Sequence, residues 1–116
     1  MRPDVRDATW LMDMLKFARE LVEFTSGVTR EQYFRELMRR RAVERSSEIL
    51  GEAAKRVSQE FRAAHLEIDW RAMAGLRDVL AHQYGGVDHV RLWEVATLQA
   101  PSLIATLESV LAPEPE

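Results

Sequence analysis

Four residues within eight positions hold most of the reactive chemistry of this chain: Arg77, Asp78, His82 and Tyr84, in the stretch LRDVLAHQYGG. They supply a fixed cation, a carboxylate, a group that titrates near neutrality and a phenol. Cleavage of RNA without a metal needs a base to take the 2′-hydroxyl proton and a cation to stabilise the phosphorane. Histidine suits the first task because its ordinary pKa lies near working pH. Arginine suits the second because its planar fork matches phosphate oxygens.

The spacing carries less than the inventory. With 14 arginines and three histidines in 116 residues, an arginine five positions before some histidine arises by chance about one time in three. A tyrosine two positions later, in a chain with two tyrosines, lowers that to under roughly one in a hundred. Residues five apart on a regular helix diverge by about 140°. Arg77 and His82 therefore share a phosphate only if the helix loosens before His82, which the following YGG permits, or if two subunits complete the site. A two-fold dimer would bring both copies of the pair together across its axis. The plain alternative stays open: a histidine at a helix C-terminus is favoured by the macrodipole, and Arg77 with Asp78 is an ordinary surface pair.

The elements that must position these residues all read as helices, with no period-two alternation anywhere. The first is expected from Asp4 to Thr25, with two adjacent apolar stripes: Ala8, Leu11, Leu15, Ala18 and Val22, then Trp10, Met14, Phe17, Leu21 and Phe24. Two stripes imply cover on a second side, by the same fold or by a partner subunit. Thr29 and Gln32 have the spacing of a capping box and open a short helix whose apolar side is Tyr33, Phe34 and Leu37. A long helix is expected from Arg39 to Arg62, with Val43, Leu50, Ala54 and Phe61 along one side. Within it Gly51 costs about 1 kcal/mol relative to alanine, which a close backbone approach would justify. Glu44, Glu48, Glu52 and Arg56 follow at successive four-residue steps, either as a solvated face or as an acidic partner to arginines elsewhere.

Asp69 can cap a helix from Trp70 to Ala81 that turns Met73, Leu76 and Leu80 inward. Asp88 can cap the last helix, whose apolar positions include Leu92, Trp93, Val95, Leu98, Leu103 and Leu107. Pro101 inside it predicts a kink or break near Leu98. The fold class is all-α: a four-to-five-helix up-and-down bundle, homodimeric, with one domain over residues 1–112 and a disordered tail at 113–116.

Composition narrows the function classes. A chain of this length buries roughly two-thirds of its unfolded surface, so it needs no metal or disulfide staple. It has no cysteine and no apolar run of membrane length, and its N-terminus MRPDVRDATW is too charged for a signal peptide; a cytoplasmic protein with no membrane association is expected. A net charge of −3 argues against a broad basic coat for nucleic acid, though not against a local basic cleft. Fourteen of the 16 basic residues are arginine, four of them at Arg39, Arg40, Arg41 and Arg45. His65 and His89 flank helix ends without metal-ligand spacing, and phosphate-cradling glycine motifs are absent, so no cofactor is expected.

DVRDA, ILGEAAKRVS and IDWRAMAGLRDVLAHQYGGVD together resemble the HepT-like proteins of the HEPN superfamily, over about Asp4 to Leu107. The signature of arginine, four residues, histidine, any residue and tyrosine is met by Arg77, His82 and Tyr84, and the polar residue often following the arginine is met by Asp78. The resemblance implies an all-α homodimer with a metal-independent ribonuclease site at the dimer interface. It also implies a toxin whose antitoxin is a minimal nucleotidyltransferase able to transfer AMP to the tyrosine. Carried over, Arg77 and His82 would be catalytic on an RNA such as a tRNA or an mRNA. Asp78 would orient one of them, and Tyr84 would be both a site residue and the AMPylation target. The glycines after Tyr84 depart from relatives, which often have a bulky residue there. A non-catalytic helical dimer that serves as a binding module for a nucleotidyltransferase is the alternative.

Overall fold

The computed structural model describes residues 2–80 and 86–113. Helix α1 (Val5–Thr25) starts where Asp4 accepts the Asp7 N–H at 2.7 Å, satisfying one of the free donors of the first turn. Its buried positions are Asp7, Leu11, Met14, Ala18, Leu21 and Thr25. That alternation of four and three residues is one broad face, drawn equally from the two expected stripes. Trp10, Leu15, Phe17, Val22 and Phe24 flank it half-buried against the same core. The two stripes are thus one docking face with its margins, and the second gives no separate argument for a partner subunit.

Thr29 and Gln32 form the expected capping box, with bonds of 3.1 and 2.9 Å, at the head of α2 (Arg30–Arg35). Only Tyr33 of its expected apolar side is buried; Phe34 and Leu37 are exposed, because Glu36 turns extended between α2 and α3 (Leu37–Arg56).

The long helix ends at Arg56 and not at Arg62. Val57 is extended, and Ser58 caps a separate helix, α4 (Gln59–Ala64). The cause lies 51 residues away. The buried Asp7 carboxylate accepts the Ser58 N–H at 2.8 Å and the Ser58 hydroxyl at 2.6 Å, while that hydroxyl oxygen accepts the Phe61 N–H. A buried carboxylate needs such donors, and supplying them costs α3 its continuation.

Asp69 caps α5 (Trp70–Ala74) by accepting the Ala72 N–H at 3.0 Å. The single helix expected here is divided at Gly75, whose N–H donates to the Arg71 carbonyl, before α6 (Leu76–Leu80) begins. Both short helices lie against α3 at Gly51. A Cβ on Gly51 would sit 3.1 Å from the Met73 carbonyl oxygen and 3.3 Å from the Leu76 Cβ. The glycine that weakens α3 locally is what lets the Arg77-bearing segment approach it.

Asp88 caps α7 (His89–Glu94) through the Arg91 N–H. The break expected from Pro101 appears as a π-helical turn over Val95–Gln99, closed by the Ala100 N–H on the Val95 carbonyl, with Pro101 in the first turn of α8 (Ala100–Leu111). A widened turn accommodates a ring that has no N–H to give and would clash with a regular preceding turn. It also swings Leu98 out to 71% exposure, against the expectation that this residue packs inward.

The core is shared by α1, α3 and α8, joined by Tyr33, Phe61, Met73, Leu76 and Leu92 from the shorter elements. The described residues form an all-α structure without strands, and none of its helices is long and apolar enough to cross a membrane. Of the expected tail, residues 114–116 lie outside the described residues.

Candidate active-site cleft

Arg77 is held by its backbone and released by its side chain. Leu76, immediately before it, is 1% exposed in the core, and α6 is seated on α3 at Gly51. The Arg77 side chain lines a cleft of about 420 Å³ that it shares with Trp10 and Asp13 of α1 and with Arg45, Glu48 and Ile49 of α3. Among the described residues no hydrogen bond or ion pair engages its guanidinium. An exposed, unengaged guanidinium beside a concave surface is poised to grip two oxygens of an anion such as phosphate.

Asp78 is exposed on the same helix but makes no ion pair with Arg77 among the described residues, so the ordinary surface pair is not formed. His82 and Tyr84 lie outside the described residues. The chain is fixed on both sides of them: Leu80 packs half-buried on the core, and the Asp88 N–H reaches the Val79 carbonyl at 3.4 Å. Gly86 has a φ of +78°, a left-handed conformation that glycine adopts without strain.

The acidic row of α3 is matched on its own helix. Glu44 meets Arg41, Glu48 meets Arg45 at 3.4 Å, and Glu52 meets Arg56 at 3.4 Å. The arginine cluster is likewise occupied locally, with Arg39 donating to the Phe24 carbonyl and Arg40 to the Phe34 carbonyl. Exposed pairs of this kind contribute little to stability. The Arg45–Glu48 pair, more than half exposed on both sides, is the most easily exchanged for a ligand contact.

One polar cluster gave no sequence signal. The Tyr33 hydroxyl lies 2.8 Å from His89 Nδ1, and His89 Nε2 lies 3.4 Å from Glu44. A carboxylate only accepts, so Nε2 carries the proton of the neutral ring and Nδ1 accepts from the phenol. Burial pushes the Tyr33 phenol well above its ordinary value, helped by the Glu44 charge. Burial also lowers His89, against the pull of Glu44 toward the charged form. His65 behaves as expected: it ends α4, stacks on Phe61 at 4.2 Å and meets Glu67 at 2.9 Å.

The Ribonuclease HepT-like family model matches residues 14–110. The "Probable ribonuclease HepT" of Thermococcus cleftensis is 37% identical over 101 residues, 87% of this chain and 92% of the relative. A "Putative RNase" of Methanocaldococcus jannaschii is 34% identical over 101 residues, 87% of this chain and 93% of the relative. Another "Putative RNase", of Caldanaerobacter subterraneus, is 34% identical over 105 residues, 90% and 94% of the two chains. No solved structure matches. The chain belongs to the HepT-like ribonuclease family.

Proposed function

We propose that this protein is a metal-independent endoribonuclease and the toxin of a toxin–antitoxin pair, working as a homodimer in the cytoplasm. Arg77 binds and neutralises the scissile phosphate of an RNA, a tRNA or an mRNA. His82 removes the 2′-hydroxyl proton, the 2′-oxygen forms a bond to phosphorus, and the bond from phosphorus to the 5′-oxygen breaks, that oxygen taking a proton from water. Asp78, free of Arg77, is available to orient His82. Tyr84 completes the site and is the hydroxyl to which a minimal nucleotidyltransferase antitoxin transfers AMP, adding bulk and negative charge where phosphate must bind. The Arg77 guanidinium, unengaged within the described chain at the edge of a cleft, carries this reading.

The test is cleavage of RNA by the purified, unmodified protein in EDTA. Wild type is expected to cleave, and Arg77→Ala and His82→Ala to lose at least about a hundredfold in kcat/KM, since each removes a general-base or charge-stabilising group. Equal cleavage by the variants would sink the assignment.

A further inference from the structure

We propose that the α1 wall of the Arg77 cleft is a nucleobase subsite, in which Trp10 stacks on the base adjoining the scissile phosphate and Asp13 accepts its hydrogen bonds. The proposal rests on the ribonuclease reading but uses side chains outside the Arg77–Tyr84 motif. Trp10 and Asp13 are three residues apart on α1 and so share a face. Both line the cleft that Arg77 borders from α6, which places an aromatic plane, an acceptor and a phosphate-binding cation around one cavity. The Arg56 guanidinium lies over the Trp10 ring at 5.2 Å and is tethered by Glu52. That contact steadies the indole and leaves it half-buried, with area still open to the cleft.

The charges sort in a way that favours a nucleotide. Three carboxylates line the cleft, but Glu48 is met by Arg45 and Glu52 by Arg56. Arg77 and Asp13 are left, opposite in sign and both without an ion-pair partner among the described residues. A nucleotide answers both, presenting phosphate oxygens to the arginine and base N–H groups to the carboxylate. A carboxylate accepts only, so it selects adenine, cytosine or guanine, which carry an exocyclic amino group. Uracil offers one N–H flanked by two carbonyl oxygens. Trp10 supplies stacking that any base can use; Asp13 supplies the choice.

The experiment measures binding of labelled 2′-O-methyl hexamers of A, C and U to the full chain, together with cleavage of the matching RNAs. The methylated nucleophile cannot attack, so binding is read apart from catalysis. Trp10→Ala is expected to weaken binding and raise KM about tenfold, with a smaller change in kcat, and Trp10→Phe to restore much of it. Asp13→Asn is expected to erase the preference for A and C over U, because an amide donates as well as accepts. Thermal melts of each variant confirm folding. Unchanged binding in Trp10→Ala, or an unchanged base preference in Asp13→Asn, would overturn the subsite. Dissociation of the Trp10→Ala protein into monomers by sedimentation velocity would overturn it too, assigning the cleft wall to a contact between copies. Absence of RNA cleavage by wild type would instead strike at the ribonuclease reading, since hexamer binding is scored separately.

Discussion

Arg77 and His89 show how differently two polar side chains are treated by the same fold. Arg77 has its backbone pinned by Leu76 and Gly51 and its exposed guanidinium left unengaged by protein groups among the described residues, an arrangement that leaves it open to a ligand contact. His89 is enclosed between Tyr33 and Glu44, with every polar atom of its ring engaged. Its lowered pKa sets the sign of a pH effect. The unfolded chain takes up a proton near pH 6.5 that the folded chain resists, so stability falls as pH drops from about 6.5 toward the lower folded value and then levels. Tyr33 acts at the other end: its phenol ionises later in the folded chain, so stability falls as pH rises above about 10. Denaturant midpoints measured across pH should show both declines, and His89→Asn should flatten the acidic one. An acidic decline unchanged in that variant would contradict the assignment to His89. Arg77 was legible as a candidate because the residues of its motif are local in sequence. The Tyr33–His89 contact spans 56 residues, and no spacing rule reaches that far.

At the scale of elements, starts were more legible than stops. Thr29, Asp69 and Asp88 each cap through a bond to a backbone N–H three residues on, which is a purely local relation. The end of α3 is set by Asp7 on another helix, so it could not be read from its own neighbourhood. Pro101 announced a break correctly, but not that the chain would absorb it as a π turn that expels Leu98. Gly51 is where element packing meets the site. Gly51→Ala gains about 1 kcal/mol of helix propensity, yet its methyl would press on the Met73 carbonyl, a backbone atom that cannot rotate away. Overpacking of this kind costs about 1–3 kcal/mol, so net destabilisation of up to about 2 kcal/mol is expected, together with reduced RNA cleavage as α6 is pushed off α3. Thermal melts and cleavage rates check both; a variant more stable than wild type with full activity would show that the approach is not tight.

The whole molecule joins a helical core shared by α1, α3 and α8 to a cleft that Arg77 lines from α6. The all-α class and the family were legible from periodicity and from the 68–88 stretch, and the structure and the relatives agree with them. Arg77 sits on a short helix that is regular as far as Leu80, which keeps the angular argument in force on its N-terminal side. Position 82 continued on that helix would point about 140° from position 77. The proposed homodimer would remove the conflict if Arg77 of one protomer and His82 of its partner formed one site. Mixing Arg77→Ala and His82→Ala proteins, each inactive alone, tests this most directly. In a site assembled across the dimer, each mixed dimer regains one intact pair, and an equimolar, fully exchanged mixture should recover about a quarter of wild-type RNA cleavage. If the site lies within one chain, every subunit of the mixture carries a lesion, and the absence of any recovery would contradict the shared site.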